Sequence, residues 1–146
     1  MLIQTRDFGP VEIAREEIFT FVQPIYGFEH LSDYVLLSEE EIGGQFAWLQ
    51  SVQEPEICFI LVQLAAVWPD YRPNIPAEIC RQLGAGPQEE ISCWGIAVIP
   101  AEFQNTTVNL KSPVLLNPQS GKAAQIILEE DYPIRARLLA QQEEVG

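Results

Sequence analysis

Between Arg15 and Arg72 this chain carries no lysine or arginine, while ten carboxylates fall in the same interval. Over the whole chain, 21 Asp and Glu stand against eight Lys and Arg, a formal charge of −13. Such a balance excludes direct nucleic-acid binding, which depends on neutralising phosphates. It keeps a protein soluble, and it steers basic partners toward its surface. Cysteine is also scarce: Cys58, Cys80 and Cys93 form no CxxC pair, and the single histidine, His30, is remote from them. A Cys3His zinc site built from these four residues would lack the usual close ligand pairs, and no metal is expected. Cys58 in ICFILV and Cys93 in ISCWGIAVI sit inside apolar runs and read as small buried hydrophobes. The odd count points to a reducing, cytoplasmic setting.

Other absences narrow the function further. MLIQTRDFGPVEI has no apolar signal core, and the longest greasy run, ICFILVQLAAVW, is interrupted by Gln63 and is too short to span a bilayer. No membrane association is expected. There is no GxGxxG or Walker sequence to cradle phosphate, and GAGPQ at 84–88 reads as a helix C-cap followed by a turn. His30 has Asp33 three residues away but no nucleophile context such as GxSxG, so it reads as a surface turn residue. Carboxylate runs such as Glu129, Glu130 and Asp131 are ordinary surface patterns. No catalytic residue is assigned, and the chain is not expected to be an enzyme.

What is present is strand signal. At 146 residues, with 47% of them apolar, the chain is expected to fold as one domain, 1–146, around a substantial core. LIQT, PVEI, EIFTF, DYVLLS, FAWLQSV, ICFILVQL, ISCWGIAVI, TVNL, PVLLN and AAQIIL read as short strands parted by turns. In ISCWGIAVI the alternation sets Cys93, Ala97 and Ile99 on one face and Trp94, Ile96 and Val98 on the other. One helix fits NIPAEICRQLG, with Asn74 as cap, Pro76 in the first turn and Gly84 as stop. The tail from about residue 137 forms a further helical turn or stays mobile. The fold class expected is all-β, a small antiparallel β-barrel-like domain with one short helix.

Two sets of residues stand out as candidates. Trp68 and Tyr71 lie in VWPDYRP, a loop stiffened by Pro69 and Pro73, where an exposed recognition role competes with core filling. Trp94, in its apolar strand, reads as core. Asn109, Asn117 and Gln125 recur at equal intervals on three successive strand segments. Amides there serve either as braces for strand register or as partner contacts, with bracing the first choice.

Taken together, FAWLQSVQEPEICFILVQ, VWPDY, TTVNLKSPVLLNPQSGKAAQIIL and DYPIR, preceded by EIFTFVQPIYGFEHLSDYVLL, resemble the flagellar assembly factor FliW family over nearly the whole chain. Two positions depart from that family's pattern. Gln45 stands where proline is usual before Phe46, and Gln63-Leu64 replaces the Asp-Pro often found ahead of the WPDY-like turn. The resemblance implies a cytoplasmic β-barrel-like protein, without cofactor, that binds flagellin before export. It also implies binding to CsrA, the small basic repressor of flagellin translation, and antagonism of it. Under that resemblance Phe46, Trp68 and Tyr71 are expected to line a groove for an amphipathic helix, with Asn109 and Asn117 as further partner-binding residues. The carboxylates at 39–41 and 54–56 are expected to oppose RNA beside CsrA.

Two other classes fit the residues less well. One is a small-molecule or flavin-binding β-barrel, in which Lys122 or Arg135 would meet a phosphate. The other is a structural subunit that uses its aromatic loop for homo-oligomerisation.

Overall fold

The computed structural model describes residues 1–38, 45–86 and 91–139. The chain opens with a hairpin of β1 (Leu2–Thr5) and β2 (Gly9–Glu12). Next come β3 (Ile18–Gln23), β4 (Asp33–Leu37), β5 (Phe46–Ser51) and β6 (Cys58–Gln63). Two short helices follow, α1 (Leu64–Val67) and α2 (Ala77–Gln82). The remaining strands are β7 (Ser92–Val98), β8 (Thr107–Val108), β9 (Val114–Asn117), β10 (Lys122–Gln125) and β11 (Ala136–Arg137).

Strands β7-β6-β5-β4-β3-β10-β9 run side by side, and β9 pairs back onto β7 to close a seven-strand barrel. The barrel-like fold expected from the sequence is borne out. It is mixed rather than wholly antiparallel, because β10 lies parallel to β3. The register explains the core. Phe19 lies opposite Tyr34, Leu36 opposite Leu49, Ala47 opposite Leu61 and Leu61 opposite Ile96. Trp94 then faces Val114, Leu116 faces Ala123, and Ala123 faces Phe21. This circuit visits every barrel strand on one face, and its members form a single packed cluster, the barrel interior. Burial, and to a smaller extent the Glu54 carboxylate, pushes the interior Tyr34 hydroxyl up to about 12, so it stays protonated.

The opposite face is covered twice over. Val62, Leu115 and Ala124 point outward beneath Leu64, Val67, Tyr71, Cys80 and Leu83, forming an outer core under the helices. Ile3 and Ile13, beside the first hairpin, pack against Val35 as a third cluster. Alternation in β7 therefore serves two cores at once. Trp94 and Ile96 belong to the interior, while Cys93 and Ala97 pack on the outer core. Cys58 and Cys80 are buried and Cys93 is half-buried, all three as free thiols. Desolvation pushes Cys58 and Cys93 up to about 11, consistent with packing rather than reactivity.

Several sequence expectations change in detail. The apolar run read as one strand through Leu64 turns helical there, which adds α1 to the single helix expected. Leu64 is fully buried in the outer core, so tertiary packing sets the boundary. Gln63 is the N-cap of α1 and makes no side-chain cap bond. Pro76, not Asn74, is the N-cap of α2, and the Asn74 N–H is held by the Glu130 carboxylate at 3.0 and 3.2 Å. Gly84 does end that helix, at φ +69°. TVNL shortens to β8, and the tail begins with β11, paired to β8, before turning helical at Leu138 and Leu139 as the sequence suggested. The tail from residue 140 on, the last part of GAGPQ and the EEEIGG run lie outside the described residues.

Candidate functional site

The barrel has two chemically different ends along β5 and β6. At the first, the hairpin 51–57 is tied down by residues that the sequence marks only as a turn. Gln50, completely buried, donates from Nε2 to the carbonyls of Ser51, Pro55 and Ile57 at 3.0–3.3 Å. Its Oε1 accepts the Arg6 N–H at 2.9 Å, and Arg6 Nη1 donates to the Cys58 carbonyl. Ser51 Oγ accepts the Gln53 and Glu54 N–H groups, and Gln53 Oε1 accepts those of Ser32 and Asp33. The loop and its neighbour at 28–33 are thus one braced unit.

Glu54 and Glu56 project from this tip into solvent, with Glu29 exposed and Asp33 half-buried beside it. Two basic groups lie near. His30, an exposed turn residue as expected, touches Glu54 at 3.2 Å, and Arg6 is engaged with Asp7. The tip is therefore acidic and held in place. Glu39, Glu40 and Glu41, the other carboxylates singled out in the sequence, lie outside the described residues.

At the second end, where β5 begins and β6 finishes, the aromatic residues gather. Phe46 and Trp68 are half-buried against the outer core. Tyr71 is taken into it: its hydroxyl donates to the Leu110 carbonyl at 2.9 Å, and its ring lies 4.7 Å from that of Tyr132. Burial drives the Tyr71 hydroxyl far above its ordinary range. The structure thus brings Phe46, Trp68 and Tyr71 onto one packed cluster. An open groove of about 320 Å³ lies at this end, lined by Gln63, Ala65, Tyr71, Pro73, Cys93 and Pro118 among others; of the three aromatics expected to line a groove, only Tyr71 does. Gln45 and Gln63, the two departures from the family pattern, meet at this end, where the Gln63 N–H donates to the Gln45 carbonyl at 2.8 Å.

The recurring amides are all occupied internally. Asn109 Oδ1 accepts the N–H groups of Lys111 and Ser112, each at 3.0 Å, where the chain passes from β8 toward β9. Asn117, wholly buried, donates to the Leu83 carbonyl at 2.8 Å and accepts from Gln119. That bond ties the end of α2 to the strand that leads into Pro118 on the groove. Gln125 accepts the Tyr26 N–H and donates to the Ser112 carbonyl. Bracing accounts for every one of these contacts.

Phe46 and Ser51 are the two ends of a six-residue strand. At about 3.3 Å per residue they are roughly 17 Å apart, or about two Debye lengths at physiological salt. Charge at the tip is therefore largely screened from the aromatic groove.

Among the described residues, no helix is long and apolar enough to cross a membrane. The family profile described as FliW protein matches residues 2–138. The flagellar assembly factor FliW of Thermotoga sp. (strain RQ2) is 37% identical over 145 residues, covering 98% of this chain and 96% of that protein. The flagellar assembly factor FliW of Caldicellulosiruptor saccharolyticus is 35% identical over 135 residues, covering 92% and 88%. A crystal structure of the flagellar assembly factor FliW superposes with a TM-score of 0.87 at 29% identity, over 94% of this chain and 96% of that one.

Proposed function

This chain belongs to the FliW family of non-enzymatic flagellar assembly factors, and from that premise we propose that it binds flagellin in the cytoplasm and antagonises the translational repressor CsrA. Flagellin would dock at the aromatic end, in the groove edged by Tyr71, with the apolar face of an amphipathic terminal helix extending over Trp68 and Phe46. Asn117 and Asn109 would act at one remove, by holding the groove wall and the β8–β9 passage in place.

CsrA would meet the acidic tip. CsrA-type repressors hold RNA through a basic surface, and carboxylates brought within about 8 Å of that surface oppose approaching phosphates. The observation that carries this assignment is the Gln50 brace. A loop that presents Glu54 and Glu56 on a fixed frame gives a directed field, which a mobile acidic loop does not.

A titration with both partners tests the proposal. Flagellin added to the complex of this chain with CsrA is expected to weaken the CsrA interaction. By linkage, CsrA then weakens flagellin binding by the same factor. Failure to bind either protein, or affinities for each that ignore the other, would overturn the proposal.

A further inference from the structure

The ladder between β9 and β10 does not stop where the strands formally end. It continues as Ile126 N–H donating to the Pro113 carbonyl at 3.3 Å and Leu128 N–H to the Lys111 carbonyl at 2.9 Å. On its other side β10 loses its neighbour, since pairing with β3 finishes at Ala124 opposite Gln23. Pro24 then turns the chain away, and the Tyr26 N–H is taken by the Gln125 side chain rather than by a strand. Residues 126–128 are therefore extended with one edge paired and the other open. Ile126 and Leu128 point into the outer core, while Ile127 is 57% exposed. The main-chain N–H and C=O of Ile127 make no hydrogen bond among the described residues.

A groove of about 410 Å³ follows this edge, bounded by Asn74 and Pro76 on one side and by Ile127, Glu129 and Glu130 on the other. Its wall is fixed by the Asn74 N–H bonds to the Glu130 carboxylate. We propose that this edge takes up one further β-strand from a partner protein: an extended segment that carries, on one face, an apolar side chain flanked two residues away by basic ones. Strand addition supplies main-chain hydrogen bonds for Ile127, and side chains on alternate positions read the surface. An apolar residue fits opposite Ile127, and a basic one two positions along the same face fits opposite the exposed Glu129.

The charges nearby support a cationic occupant. Lys111 spends its ammonium on the Glu130 carbonyl, and the Arg72 guanidinium turns to the carbonyls of Pro69 and Tyr71. A second copy is disfavoured, because edge-to-edge pairing would set Glu129 and Asp131 near their own equivalents. This inference does not depend on the partners named above.

The test uses the full chain and the capped peptide Thr-Lys-Thr-Val-Thr-Lys-Thr, followed by amide-resolved NMR at physiological salt. The amides of Ile127 and Glu129 should shift, and Ile127 exchange should slow. The same peptide N-methylated at its valine should bind about tenfold more weakly, the loss of roughly one net hydrogen bond. Equal binding of both peptides, shifts confined to another surface, or no binding at all would overturn the proposal. So would concentration-dependent shifts at Ile127 without peptide, which would assign the edge to self-association.

Discussion

Replacing Gln50 with leucine is expected to cost about 2–4 kcal/mol of stability, although the new side chain is apolar and of similar size. The Arg6 N–H and the carbonyls of Ser51 and Pro55 would lose their side-chain partner, while the Ile57 carbonyl keeps the Ser51 N–H. Each partly buried group left unmatched costs about 1–3 kcal/mol, less where water reaches it. For a chain of this size the melting temperature should fall by roughly 5–15 °C. Hydrogen exchange across 51–57 should speed up more than exchange in the barrel interior. A fall under about 2 °C, with that loop still protected, would show that the hairpin holds itself without Gln50.

Gly95→Ala is the second large effect. A methyl group added there would lie 2.6 Å from Val108 Cγ1, 2.8 Å from Leu64 Cδ2 and 2.9 Å from the Asn109 carbonyl oxygen. The two side chains can swing aside at modest cost. The carbonyl cannot move without straining the Asn109 N–H bond to the Ile96 carbonyl. Overpacking of this kind costs about 1–3 kcal/mol and sometimes more, and here the immobile backbone places it at the upper end. The melting temperature should drop by roughly 10 °C. Because β11 is held through β8, and β8 through β7, contacts along β11 should loosen first. An unchanged melting temperature would mean that β8 sits further from β7 than described.

How much of this was legible in the sequence follows from the range of each interaction. Strand alternation is local, so the seven barrel strands could be located, and β7 even shows which side chains serve which core. The helical turn at Leu64 could not, because its cause is burial in an outer core assembled from distant segments. Parallel pairing of β10 with β3 is invisible for the same reason, since nothing in AAQIIL specifies its neighbour's direction. The amides at 109, 117 and 125 stand out in the sequence by type and spacing, while their internal partners, such as the Leu83 carbonyl, needed the fold. Gln50 was missed. A lone amide in the apolar strand FAWLQSV, just ahead of a serine and the QEPE turn, was the available signal, because a polar side chain at such a position must find partners. Trp68 and Tyr71 looked equivalent in VWPDYRP; burial separates them, leaving Trp68 half-exposed and Tyr71 packed.

The acidic tip and the aromatic groove sit at opposite ends of the same two strands, and the account holds that each serves a different partner. The most direct measurement compares Glu54→Gln/Glu56→Gln with Trp68→Ala, each assayed for flagellin affinity and for relief of CsrA-repressed translation. The first variant should lose roughly tenfold in CsrA antagonism, together with much of its salt dependence, and keep its flagellin affinity. The second should lose roughly thirtyfold in flagellin affinity, the effect of an aromatic hot spot of about 2 kcal/mol, and keep its CsrA antagonism. Equal impairment of both activities in both variants would contradict a division of labour between the two ends.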